Sequence, residues 1–270
     1  MLKFSVLGSS SAGNCTYVAT DKTAVLVDAG LSARETSERL ASLGATPKDI
    51  QGVLVTHEHS DHTSGLRVLQ RRYGVPLFAN SGTIEGYDAR ADERLKWQVF
   101  TTGAAFHVGD LLVEPFSVPH DTLDPVGFLL HGDGVTLGVV TDMGITTTLI
   151  RARLRHCDAI VIESNHDVYL LNKSNRPWPL KQRILGPQGH LSNDACAALV
   201  TELAIESALQ LVVLAHLSGE CNEPGLALRV TETSLRQQCA GRVRVVLAAP
   251  DIATEVLMVA PRPAAAPQDS

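Results

Sequence analysis

The sequence predicts a layered α/β domain, and three observations carry that prediction. Short apolar runs bounded by turn residues recur early, at 2–7, 16–19, 24–27 and 52–56, as strands do. Further β-type runs follow at 111–118, 126–130 and 135–140, joined by Gly-Asp turns. From 146 onward, helical and strand patterns alternate at 146–155, 159–163, 193–206, 211–215, 224–238 and 243–248. Such alternation lays helices against a sheet.

The elements follow in order. The runs at 2–7, 16–19 and 24–27 are separated by Gly/Ser/Asn and Asp/Lys turn signals. Ser32-Ala33-Arg34-Glu35 has the capping-box pattern and opens an amphipathic helix to about 43, stopped by Gly44. The apolar run 52–56 reads as a strand covered on both faces, followed by a helix over 63–73 and a strand over 75–79. Residues 1–260 hold no linker and read as one domain, whereas the Pro- and Ala-rich 261–270 is a low-complexity tail expected to be disordered.

Composition narrows the function classes. The 270 residues are 44% hydrophobic, and a chain of this length buries about 70–75% of its unfolded surface without needing disulfides. With 23 Lys+Arg against 29 Asp+Glu, a net charge of -6 excludes the broad basic field of non-specific nucleic-acid binders. A local basic groove remains compatible with it. The N-terminal segment lacks the apolar core of a signal peptide and no apolar run reaches 18 residues, so a soluble cytoplasmic protein is expected. Cys15, Cys157, Cys196, Cys221 and Cys239 are odd in number and scattered, with no C-x-x-C, as buried thiols of a reducing compartment are.

The strongest chemical signal is Thr56-His57-Glu58-His59-Ser60-Asp61-His62, which follows a buried strand and precedes a helix. In a loop leaving a strand, His57 and His59 can share one side while Asp61 and His62 face another. That arrangement suits two adjacent metals. Imidazole with carboxylate selects zinc, manganese or iron, and without a nearby thiolate the motif does not read as a closed structural zinc site. Other strand ends add Pro119-His120-Asp121, Thr141-Asp142-Met143-Gly144 and Ala215-His216-Leu217-Ser218. Active residues of layered α/β folds gather beyond strand ends. Asp28, at the end of 24–27, reads equally as an acceptor orienting a ligand histidine and as a turn carboxylate.

These residues resemble the metallo-β-lactamase superfamily of binuclear hydrolases, over nearly the whole chain from the Gly8–Asn14 loop past His216. The resemblance implies an αββα sandwich with a binuclear metal site at the edge of its two β-sheets. It implies two divalent ions, Zn2+ or Mn2+, and a metal-activated hydroxide nucleophile. His57, His59 and His120 would hold the first metal and Asp61, His62 and His216 the second, with Asp142 bridging.

Within that superfamily, Glu163, ending 159–163, and His190, opening the helix 193–206, are similar to the Glu–His pair of tRNase Z, with a comparable arrangement in β-CASP nucleases. A carboxylate-oriented imidazolium can protonate an alkoxide leaving group at neutral pH. Gly8–Asn14, Asp28-Ala29-Gly30, Val118-Pro119-His120-Asp121, Glu163–Asp167 and Leu185–Asn193 resemble the YycJ (WalJ)-type members of the superfamily. That resemblance implies a phosphodiesterase, an exonuclease acting 5′ to 3′ on single-stranded DNA, with Asp61, Glu163 and His190 catalytic. Ser10, Asn14, His166 and Ser192 are the expected substrate contacts. A small-molecule hydrolase of a phosphodiester, thioester or lactone is the alternative, and a metal-bearing scaffold the reading from another class.

His107, His131 and His156 lack partner ligands and read as structural, and Arg151, Arg153 and Arg155 as a solvated helix face. Lys173, Arg176, Lys181 and Arg183, interleaved with Tyr169 and Trp178, form a basic stretch. It reads equally as an exposed loop and as a track for a nucleic-acid backbone.

Overall fold

The computed structural model describes residues 1–91, 93–238 and 240–261. Cys239 and the tail from 262 lie outside the described residues, as does any test of the burial and disorder expected of them. Strands β1 (Lys3–Gly8), β2 (Cys15–Ala19) and β3 (Ala24–Val27) form an antiparallel meander. Helix α1 (Ala33–Ser42) leads to β4 (Gly52–Leu54), α2 (Ser60–Thr63) and α3 (Leu66–Tyr73) to β5 (Leu77–Ala79), and α4 (Ser81–Asp88) to β6 (Trp97–Val99). These three strands extend the sheet in parallel from β3.

The second sheet starts as an antiparallel run of β7 (Phe106–Val108), β8 (Leu111–Ser117), β9 (Val126–Gly132) and β10 (Val135–Val140). After α5 (Thr148–Leu154) it continues in parallel with β11 (Ala159–Glu163). Helices α6 (Val168–Lys173), α7 (Trp178–Leu185) and α8 (Asn193–Glu206) precede β12 (Leu211–Ala215), and α9 (Pro224–Gln237) precedes β13 (Arg244–Leu247). The chain then returns to the first sheet, where β14 (Leu257–Met258) pairs with β1. Among the described residues each sheet has seven strands, in the orders β14-β1-β2-β3-β4-β5-β6 and β13-β12-β11-β10-β9-β8-β7.

Alternation along the strands builds the layers, because successive side chains leave opposite faces. In β11, Val161 joins a core shared with Phe4, Val25, Leu54 and Phe128 between the sheets, while Ile160 and Ile162 join the core beneath α5, α8 and α9. In β4, Leu54 faces the other sheet and Val53 faces Leu40, Leu66 and Leu69 of α1 and α3. The result is helices, sheet, sheet, helices, the αββα order. No helix among the described residues is long and apolar enough to cross a membrane.

The capping box at Ser32 and Glu35 forms as read, and Gly44 adopts φ +77°. Other segments depart from expectation. The helix expected over 63–73 is broken, because Gly65 donates to Ala29 O at 2.7 Å and a side chain there would strike Leu31 O. The break frees the single turn α2 to present Asp61 and His62. Helix α4 and the edge strands β6 and β7 have weak sequence patterns, since β6 is mostly exposed and so lacks the alternation of a half-buried strand. Of the basic stretch, Lys173 lies in α6 and Lys181 and Arg183 in α7, with Arg176 in the connection between them.

Candidate metal centre

Parallel register brings the ends of β10, β11 and β12 together: Val140 pairs with Ile162, and Glu163 with Ala215. Asp142, Glu163 and His216 therefore leave this sheet side by side. The other sheet delivers Asp28 after β3 and His57 after β4. At this edge the sheets are bonded to each other, Val126 N donating to Thr56 O at 3.0 Å. Apart from Asp133 of the β9–β10 hairpin, the non-glycine residues with positive φ among those described are Asp28 (61°), Asp142 (55°) and His216 (53°). Left-handed backbone at non-glycine positions costs about 1–3 kcal/mol each and collects where function holds it.

The side chains converge into overlapping clusters whose candidate ligand atoms lie within 4.8 Å of one another: His57, His59 and His120; His57, His62 and Asp142; Asp61, His62 and His216; and Asp142, Glu163, His190 and His216. His57 Nε2 stands 3.1 Å from His59 Nδ1, and His120 Nε2 3.4 Å from the same atom. Asp142 Oδ2 is 3.2 Å from His62 Nε2, and its Oδ1 is 3.3 Å from His216 Nδ1. Every residue expected to ligate a metal is thus in one connected group.

That group fits a cation. Asp142 Oδ2 and His216 Nε2 are buried without a well-aligned hydrogen bond, meeting only His62 Nε2 at 3.2 Å and Asp61 Oδ2 at 3.4 Å, and an unmet buried polar atom costs about 1–3 kcal/mol. Burial drives His57 well below the ordinary imidazole range and lowers His59, leaving both neutral with lone pairs to give. Burial favours the neutral form of Asp142, yet His216 and His62 hold it well below the usual carboxylate range. The same contest runs in Asp61, where the close approach of His216 and His62 outweighs burial and keeps it low. Neutral imidazoles facing ionised carboxylates are donors for a divalent transition metal, and His62 and His216, raised by the carboxylates around them, would give up a proton to join the set.

A surrounding network holds these groups. Asp28 Oδ2 meets His62 Nδ1 at 2.8 Å, and its Oδ1 accepts from Thr56 N at 2.8 Å. His120 Nδ1 faces Gly189 O at 3.2 Å. Asn14 Nδ2 reaches Asp61 Oδ2 at 3.3 Å and His62 Nε2 at 3.2 Å, and Asn14 N donates to Asp61 O. Gly30 makes that approach possible, because a Cβ there would lie 1.6 Å from Asp61 O. Glu58, between the two histidines of the motif, is buried and accepts from Leu123 N at 3.2 Å, tying the His57–His59 loop to the segment after His120.

Glu163 is fully buried and central. Its Oε1 lies 2.8 Å from both His190 Nδ1 and His216 Nδ1, and its Oε2 accepts from Leu191 N and Met143 N. Burial opposes its ionisation, but the charge and hydrogen bond of His190 and the hydrogen bond of His216 bring it down to about 2. Burial also opposes the charging of His190, and Glu163 reverses this, raising it above the ordinary range. His216 is raised to about 10, burial being outweighed by Asp142, Asp61 and Glu163.

The expected substrate contacts fare unequally. Ser10 is half-buried and its Oγ accepts from Ala12 N, beside the Asn14 bonds just described. Ser192 Oγ accepts from Ala195 N and caps α8. His166 is 1% exposed with neither ring nitrogen hydrogen-bonded. Within the basic stretch, Lys181 is 8% exposed and its ammonium donates to Asn172 O and Ser174 O, both at 2.7 Å, closing the end of α6. It is not available to a strand. Lys173 lies over the Tyr169 ring, whereas Tyr169 and Trp178 themselves stand exposed. Thr56, Glu58 and Ser9, whose Oγ accepts from His216 N at 2.7 Å, lie within the motifs, but nothing local marks their remote partners.

Comparison with known proteins agrees with this geometry. The chain is 38% identical over 231 residues to the exodeoxyribonuclease YycJ of Bacillus anthracis, covering 84% of this chain and 86% of that one. It is 36% identical over 261 residues to the exodeoxyribonuclease WalJ of Streptococcus pneumoniae, covering 93% and 96%. The metallo-β-lactamase fold protein YhfI of Bacillus subtilis superposes with a TM-score of 0.71 at 14% identity, over 94% of this chain and all of that one. A family model described as a beta-lactamase superfamily domain matches residues 23–216. That span runs from the strand before Asp28 to His216 itself and takes in every clustered histidine and aspartate, and with this fold the chain belongs to the metallo-β-lactamase superfamily.

Proposed function

We propose that this chain is a metal-dependent phosphodiesterase that shortens nucleic acid from an end, acting 5′ to 3′ on single-stranded DNA in the cytoplasm. One observation carries the reading: at the rim of the His/Asp cluster, His190 is held at 2.8 Å by a fully buried carboxylate. The names of the Bacillus anthracis and Streptococcus pneumoniae relatives, both exodeoxyribonucleases, support the same reading.

In this reading His57, His59 and His120 would hold one divalent ion, Asp61, His62 and His216 a second, and Asp142 both, the ions being Zn2+ or Mn2+. The chemistry that divalent ions would supply there is acidification of a water and charge neutralisation at the phosphoryl oxygens.

The chain's own residues supply the rest. Glu163 occupies His190 Nδ1, leaving Nε2 as the nitrogen that faces outward with a proton to give. A phosphodiester leaves as an alkoxide unless protonated, and positioned proton donation is worth about 100- to 10,000-fold. Asp28 engages His62 Nδ1 and so turns Nε2 toward Asp142. Asn14 steadies Asp61 and His62 together, and Ser10 N donates to Asn14 Oδ1 at 3.2 Å.

The test is incubation of purified protein, with manganese and separately with zinc, with single-stranded DNA labelled at either end. Shortening from the 5′ end, lost in Asp61→Ala with the fold retained, is the expected result. Intact DNA alongside turnover of a small aryl phosphodiester would move the substrate to a small molecule, and no turnover of either would overturn the reading.

A further inference from the structure

Two grooves adjoin on the side of the molecule built by α3, α4 and β6. One, of about 560 Å³, runs from His59 and Asp61 to Arg67, Tyr87 and Arg90. The other, of about 590 Å³, lies between the end of α3 and the edge strand β6, walled by Arg71, Arg94, Lys96 and Trp97.

Three contacts join them. Tyr87 of the first groove packs edge-on against Trp97 of the second, with ring centres 5.5 Å apart. Glu93 of the second meets Arg67 of the first at 3.5 Å, and Arg71 as well. Arg67 and Arg71 are four residues apart and so share one face of α3. Gln70 fixes the far wall, its Nε2 donating to Lys96 O at 2.7 Å and its Oε1 accepting from Lys96 N at 2.9 Å.

The charge along this path is opposite to that of the chain as a whole, which has 29 Asp+Glu against 23 Lys+Arg. Past the metal cluster the grooves carry Arg67, Arg90, Arg71, Arg94 and Lys96 against Glu93 alone. Arg94 is 91% exposed and comes no nearer to Asp88 than 3.9 Å. Arg67 and Arg71 are half exposed, and a guanidinium has five N–H donors, more than one shared carboxylate can occupy. These cations are strung out instead of converging on one point. A row of cations with aromatic rings between them matches a chain of phosphates carrying bases, not a single small anion.

Resting on the phosphodiesterase reading, we propose that the two grooves form one track for a single-stranded polynucleotide, and that Arg71, Arg94 and Lys96 hold its phosphates far from the bond being cut. Tyr87 and Trp97 stand at the junction of the grooves. Glu93 is the competitor that the strand displaces from Arg67 and Arg71. The track explains how a chain of net charge -6 holds an acidic substrate: the cations are gathered on one path.

The experiment compares single strands of about 4 and about 16 nucleotides, the span of single-strand site sizes, with wild type, the double variant Arg71→Gln/Lys96→Gln, and Glu93→Gln. Wild type should favour the longer strand in kcat/KM by on the order of tenfold, a few-fold for each surface charge contact. The double variant should bring that ratio toward one. Binding of a phosphorothioate 16-mer, read by fluorescence anisotropy, should lose about 0.7 of log-log salt slope for each phosphate contact removed. Glu93→Gln should act in the opposite direction and tighten the 16-mer by up to about fivefold. A merely structural role would lower both strands alike, preserve their ratio and leave the salt slope unmoved. That result, a wild-type ratio near one, or a weakened 16-mer in Glu93→Gln would overturn the proposal while turnover stood. So would a change of sedimentation mass in the double variant with the length ratio intact, which would make this face a contact between two copies. Track-dependent binding of the 16-mer without turnover of any diester would uphold the track and overturn the phosphodiesterase reading instead.

Discussion

The two ends of the metal cluster are built differently. His57, His59, Asp61 and His62 come from one short loop after β4, and their spacing is local. The opposite end draws Asp142, Glu163, His190 and His216 from three strand ends and a helix start, joined only by the parallel register of β10, β11 and β12. A loop can supply ligands by itself. Placing a buried acid against two histidines needs a sheet. The local end brings four candidate donors from one loop, whereas the assembled end sets a buried acid against two histidines.

Removing the group that joins the two ends should do most damage. Asp142→Ala deletes the carboxylate between His62 and His216, and nuclease turnover should fall by about 100- to 1,000-fold with circular dichroism unchanged. Stripping metal with a chelator should abolish activity and return it on adding Mn2+ or Zn2+, measured by the same assay.

Next in size, Glu163→Gln attacks only the assembled end. Glu163 raises His190, so the protonated form persists to higher pH, and activity that needs it is lost as pH rises through the raised value. The variant should move the alkaline limb of kcat/KM to lower pH and cost about 10- to 100-fold at neutral pH. An unmoved limb would separate Glu163 from proton donation. Asp28→Asn tests the local end, because it disturbs only the acceptor behind His62. Metal affinity by calorimetric titration should weaken about 10- to 100-fold, with the pH profile unaltered.

Smaller effects concern the frame. Gly30→Ala forces a methyl against Asp61 O and should cost about 1–3 kcal/mol of stability in denaturant titration, with metal affinity falling in step. Lys181→Met leaves two carbonyls of the α6 end without their donor. About 1–3 kcal/mol should be lost without any change in the salt dependence of DNA binding, as befits a cap rather than a strand contact.

This contrast also explains what the sequence made legible. The His57–His62 motif, the strand ends carrying His120, Asp142 and His216, and the cap at Ser32 are written in neighbouring residues. The αββα layering follows from period-two alternation in strands such as β4 and β11, where each run feeds two cores. What stayed hidden depends on long-range partners. His166 looked poised beside the acid pair, but the chain turns it inward. Lys181 looked like a free cation until the end of α6 closed on it. Tyr87 in α4 and Arg90 just beyond it line one groove with Asp61, a juxtaposition set up by the pairing of β4 with β5.

A series of phosphodiesters with leaving groups of increasing pKa tests most directly whether His190 protonates the leaving oxygen. Wild type should show a shallow dependence of kcat on leaving-group pKa, and His190→Ala a steep one, nearly matching wild type only on the best leaving groups. Parallel dependences in the two proteins would contradict the account.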